Sequence, residues 1–208
     1  MKKNFAQYVQ RSYEITEEKR AAAREAISAF DKFLKQLWAA RQHDQRLVNV
    51  LKKNKDADPA ALFGIRHLLR RFQKEVKQRY TNLIISFAGK KDAQSNVVSK
   101  GCIHTLIPLE KDTLTRNIKN ALQDAMQQLT EFLEEFLEAF EDFNNPDQVA
   151  KITTTSAKAD QIVQSIENVI DGQLKPHFER NVLKRKHLGS ICSGIHRRTR
   201  IIELLTEE

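Results

Sequence analysis

Apolar residues recur every three or four positions along most of this chain, the spacing that places them on one face of a helix. Between about 4 and 54 they are Phe5, Tyr8, Ile15, Ala22, Ile27, Phe30, Leu34, Leu37, Leu47 and Leu51, which predicts one long helix. Mixed charges such as Glu17, Glu18, Lys19, Arg20, Arg24 and Glu25 fill the solvated side. Asp58-Pro59 marks a restart, a capping residue followed by a proline at the first helical position. The second helix then carries Leu62, Ile65, Leu69, Phe72, Val76, Tyr80, Leu83 and Phe87.

The period disappears from Gly89 to about Leu109, where Asn96 to Ile107 alternates loosely enough for a short strand. It returns near Asp112 with Leu114, Ile118, Leu122, Ala125, Leu129, Phe132, Phe136 and Phe140, predicting a third helix to about Phe143. Asn144-Asn145-Pro146 repeats the punctuation of Asp58-Pro59, and a fourth helix follows through Val149, Ile152, Ala159, Ile162, Ile166 and Val169. A break is expected near Gly172, with Pro176 opening a fifth segment that runs to Leu205. The pattern predicts an all-α fold: one domain, 1–208, an antiparallel bundle of four to five long amphipathic helices. Two helical hairpins, 4–88 and 110–206, are joined by an irregular loop, 89–109.

Composition agrees with that reading. Gly 6 and Pro 4 are too few for the many turns of a β-rich chain. No apolar run approaches the roughly 20 residues of a membrane span, and Met1-Lys2-Lys3 leads into polar residues rather than a signal peptide. Two cysteines make no disulfide framework. A cytoplasmic protein without a membrane partner is expected.

Charge changes the picture more. The net formal charge is +8, and between Lys175 and Arg200 eight cations face a single acid, Glu179. Lys and Arg so concentrated form a phosphate-binding footprint. The candidate nucleic-acid contacts are Arg180, Lys184, Arg185, Lys186, Arg197, Arg198 and Arg200, with a second strip, Arg66, Arg70 and Lys74, on the second helix. RNA and DNA stay equally open, because no recognition helix or base-stacking aromatic signature is present. The polar side of the third helix is acidic from Glu131 to Asp142, and it is a possible mate for the basic stripe of the second. The wide apolar face of the same helix, Phe132, Leu133, Phe136, Leu137, Phe140 and Phe143, is a candidate surface for a protein partner or self-association.

Two further constellations carry chemistry. Cys102 with His104, and Cys192 with His196, hold the thiolates and imidazoles of a tetrahedral zinc site. Their spacings match no common zinc finger, so neither a metal nor any other cofactor is expected. Arg180-Asn181 followed by His187 resembles the Arg-polar-(few residues)-His motif of the HEPN superfamily, all-helical proteins that include many ribonucleases. The resemblance covers eight residues and implies a composite phosphodiester-cleaving site. Walker, dinucleotide-binding, nucleophile-elbow and Glu-x-x-His signatures are missing. The expected function is a non-enzymatic subunit or adaptor that contacts nucleic acid non-specifically. An interaction scaffold with no nucleic-acid role and a HEPN-like ribonuclease are the alternatives.

Overall fold

The computed structural model describes residues 16–54, 59–141 and 146–184. Helix α1 (Glu17–Lys53) begins where the Thr16 side chain accepts a hydrogen bond from the Lys19 N–H, and Glu17 and Glu18 meet the positive end of the helix dipole. It ends on Lys52, Lys53 and Asn54, whose side-chain amide donates to the Val50 carbonyl. Helix α2 (Pro59–Ala88) returns antiparallel to it, and α3 (Thr113–Ala139) and α4 (Pro146–Glu167) form the second hairpin. In cross-section α1 packs on α2 and α4, and α3 packs on α4 and, less closely, on α2. The fold is thus an all-α bundle of two hairpins. None of the described helices is long and apolar enough to cross a membrane.

The core is the sum of the predicted stripes. Phe30, Phe33, Leu37, Leu47 and Leu51 of α1 meet Leu69, Val76, Tyr80 and Leu83 of α2, Phe136 of α3 and its C-cap Phe140, and Ile166 of α4, all essentially inaccessible to water. A run of rings, Tyr80–Phe132–Phe136–Phe140, has centroid separations of 5.6, 5.5 and 6.0 Å. Phe132, Leu133, Phe136 and Phe140 are buried and Leu137 is half-buried, so the chain's own helices cover the apolar face of α3. Phe143 lies outside the described residues.

The connection 89–109 is ordered. Gly89, at φ 88°, turns out of α2 into a hairpin of β1 (Gly89–Lys91) and β2 (Val97–Lys100). Gly89 pairs with Lys100, Lys90 with Ser99 and Lys91 with Val97, with a bulge between the last two pairs. At the tip, Asp92 Oδ1 accepts from the backbone N–H groups of Gln94 and Asn96 at 3.0 and 2.7 Å. The chain then passes so close to the end of α2 that a Cβ on Gly101 would strike the Phe87 carbonyl. A 3-10 segment, Cys102–Leu109, follows and buries Cys102, Ile103, Leu106 and Leu109 against α1, α2 and α3. It plugs one end of the bundle.

The expected break near Gly172 does not occur. From α4 the chain continues through wide π turns (Asn168–Leu174), one α turn, α5 (Lys175–Phe178), and further π turns (Glu179–Leu183). Pro176 has no N–H and its ring crowds the carbonyl four residues earlier, which a wider turn relieves without ending the helix. The Lys175 N–H accordingly reaches the Ile170 carbonyl, five residues back. Ile170, Leu174 and Phe178 keep the rod anchored in the core.

Candidate nucleic-acid interface and buried polar cluster

The end of this rod carries the first of the candidate phosphate contacts. Arg180 and Lys184 are both exposed, and Lys184 Nζ lies 3.8 Å from Glu179 Oε2, a loose pair. Lys175, the first cation of the basic run, is already engaged by Asp31 and Asp171, which leaves it unsuited to an external anion. Hydrogen bonds and the charges of both carboxylates raise its pKa against the opposing effect of burial. Arg185, Lys186, Arg197, Arg198 and Arg200 lie outside the described residues, as do His187, Cys192 and His196.

What holds the rod in place was not foreseen from sequence. Asp112 caps α3, its Oδ2 accepting from the N–H and hydroxyl of Thr115 at 3.0 and 2.9 Å. His177 reaches the same oxygen through Nε2 at 2.6 Å, while the Asn181 amide donates to His177 Nδ1 at 2.9 Å. A ring nitrogen that accepts from Asn181 leaves the proton on Nε2, where it donates to Asp112. Burial acts upward on the Asp112 carboxyl, but the Thr115 hydrogen bonds and facing His177 outweigh it and hold its pKa below the usual range. With both ring nitrogens occupied, His177 is a clasp between the rod and α3. Arg20 adds a second tie, its guanidinium donating to the Leu183 carbonyl at 3.4 Å.

On α2, Arg70 and Lys74 are exposed and Arg66 is half-buried, with its Nε enclosed and without a hydrogen bond. Lys74 and Lys77 form one wall of a groove of about 480 Å³ whose opposite wall is Glu134 and Glu138 of α3 with Glu141 just past its end. The basic stripe and the acidic end of α3 therefore lie side by side. Carboxylates this near compete with phosphate for the lower part of the stripe.

Cys102 and His104 turn to separate backbone carbonyls. The thiol points to Phe87 O at 4.0 Å and the imidazole Nε2 lies 3.2 Å from Ala88 O. Burial pushes the thiol pKa up to about 12, so Cys102 stays protonated rather than offering a metal-binding thiolate. Among the described residues no group of three or more His, Cys, Asp or Glu side chains converges on one point.

The most enclosed polar chemistry lies in the core, between α1, α2 and α4. Arg41 Nε and Nη2 donate to the two oxygens of Asp160, both at 2.8 Å, and Nη1 donates to Asp44 Oδ1 at 2.5 Å and to Ser156 Oγ at 2.9 Å. The Tyr80 hydroxyl donates to Asp44 Oδ2 at 2.6 Å. Arg41 is 2 % exposed and Asp44 and Tyr80 are 0 % exposed. Burial raises the Asp44 carboxyl to about 6 despite the opposing Arg41 charge and Tyr80 hydrogen bond. Burial beside Asp44 likewise raises the Tyr80 phenol, while the Arg41 hydrogen bond lowers Asp160. The Arg41 guanidinium, Tyr80 hydroxyl and Asp44 carboxylate satisfy one another, the arrangement of a structural lock between three helices rather than of a reactive centre.

No family model, curated protein or solved structure matches this chain.

Proposed function

We propose that this bundle is a non-enzymatic subunit or adaptor that contacts nucleic acid non-specifically through its C-terminal basic segment. One observation carries the reading: between Lys175 and Arg200, eight cations accompany one acid. The internal pairing of Lys175 leaves seven, beginning with the exposed Arg180 and Lys184 at the clasped end of the rod. Such a run releases counterions from a phosphate backbone and reads no sequence. Arg66 and Arg70 are a weaker second strip, because the adjoining part of α2 faces carboxylates.

The test replaces Lys184, Arg185, Lys186, Arg197, Arg198 and Arg200 with Gln and titrates labelled RNA and DNA by fluorescence anisotropy. Loss of binding with unchanged helicity supports the proposal, and unchanged affinity rejects it. A ribonuclease reading through Arg180 and His187 makes a different demand: RNA cleavage that His187→Ala abolishes while binding persists.

A further inference from the structure

Helices α2 and α3 pack less closely than the other neighbouring helices, and the two walls of the groove between them carry opposite charge. Lys74 and Lys77 stand on one side, Glu134, Glu138 and Glu141 on the other, with Leu137 half-buried between them. All five charged side chains are exposed, and among the described residues none of them makes an ion pair, within the wall or across it. Elsewhere the same helices do pair their charges: Arg71 holds Glu75 at 3.1 Å, and Lys158 of α4 holds Glu135 at 3.1 Å. In the groove, exposed cations and carboxylates stand on facing walls without closing an ion pair.

From this pattern we infer that the α2–α3 groove is the contact surface of a weak, salt-sensitive homodimer. A two-fold interface requires a patch that complements itself. When the two-fold axis runs along the seam, parallel to the helices, a second copy presents its lysine wall to the first copy's glutamate wall, and the reverse. The residues already share a height along the bundle, since Lys74, Lys77, Glu134 and Glu138 line one groove, so the copies meet in register. Leu137 and the alkyl stems of the two lysines supply the apolar contact beneath the charges. Because the apolar face of α3 is covered within the chain, its polar side is the part of that helix left for a partner. The inference is independent of nucleic-acid binding, with which it shares only Lys74.

The experiment is sedimentation velocity across concentration and salt on three proteins: the unaltered chain, Glu134→Lys/Glu138→Lys/Glu141→Lys, and Lys74→Glu/Lys77→Glu. The unaltered chain forms dimers that dissociate as salt rises, and each variant alone stays monomeric because like walls meet. Mixing the two variants restores the dimer, since an all-cationic face then meets an all-anionic one. An unaltered chain that is monomeric throughout overturns the inference, as does a dimer that survives both wall reversals. A mixture that remains monomeric also overturns it, because the substitutions then act within each chain's own seam. Should either variant lose helicity, carbodiimide coupling on a mixture of isotopically light and heavy unaltered chains decides the matter. Light-to-heavy links from Lys74 or Lys77 to Glu134, Glu138 or Glu141 support the dimer, and exclusively same-isotope links refute it.

Discussion

Replacing Arg41 with Met strips the core lock of its cation while keeping much of its volume. Arg41 donates to Asp44, Ser156 and both oxygens of Asp160, and its removal leaves the fully buried Asp44 with Tyr80 as its remaining side-chain donor. Stranding one member of a buried ion pair costs about 3–5 kcal/mol. For a domain of this size each kcal/mol corresponds to about 2–4 °C, so Tm falls by on the order of 10 °C. The cause is separable from simple loss of packing by pH. The Asp44 carboxyl sits at about 6, above its ordinary 3.8, and loss of the guanidinium raises it further. A carboxyl raised by folding contributes stability that is fully present below the unfolded value and is lost as pH rises through the folded one. The Arg41→Met penalty is therefore largest at about pH 7.5 and shrinks at about pH 4.5, where Asp44 takes up a proton. Part of it persists there, because Asp160 is held below its usual pKa and stays charged. Urea denaturation followed by circular dichroism reads both values, and adding Asp44→Asn to the variant removes the pH-dependent part. A loss below about 1 kcal/mol, the size of an exposed pair, or an equal loss at both pH values refutes the reasoning.

Other substitutions test the neighbouring assignments. Asp112→Ala removes both the cap of α3 and the anchor of His177, and lowers stability by about 1–2 kcal/mol, with faster amide exchange in the first turn of α3. Equal exchange in both proteins would place the cap elsewhere. Two glycines should respond in opposite directions to Ala, as read from urea midpoints. Gly101→Ala drives a Cβ into backbone and loses about 1–3 kcal/mol. Gly172→Ala, with nothing within 4 Å of the new Cβ, gains up to about 1 kcal/mol. A loss at Gly172 would mean that the wide turns depend on glycine.

The long helices were legible because their apolar period is sustained over many turns, and because Pro59, Asp112 and Pro146 punctuate them. The opposition of the α2 cations and α3 carboxylates was legible for the same reason, since two antiparallel hairpins bring those faces together. The 3-10 plug was not: Ile103, Leu106 and Leu109 repeat every three residues, but eight residues are too few to separate that period from loose alternation. The π turns escaped because Gly172 and Pro176 are ordinary breakers, and only the burial of Ile170, Leu174 and Phe178 keeps the helix continuous past them. The core lock left a trace that was readable. Arg41 and Asp44 fall in step with Leu37 and Val48 on the stripe of α1, and a charged pair three apart on a core face demands buried partners. Which partners, Tyr80 36 residues from Asp44 and Ser156 and Asp160 115 and 119 residues from Arg41, is decided by tertiary packing alone.

Phosphate contact by the C-terminal cations is tested most directly by the slope of affinity against salt. Anisotropy titrations of labelled duplex DNA and single-stranded RNA over a salt series give that slope. Contacts from the six cations between Lys184 and Arg200 predict a fall of log Kobs with log salt of about −5 on the duplex and about −4 on the single strand, with no dependence on base sequence. No binding at low salt, or binding that salt leaves unchanged, would contradict the account.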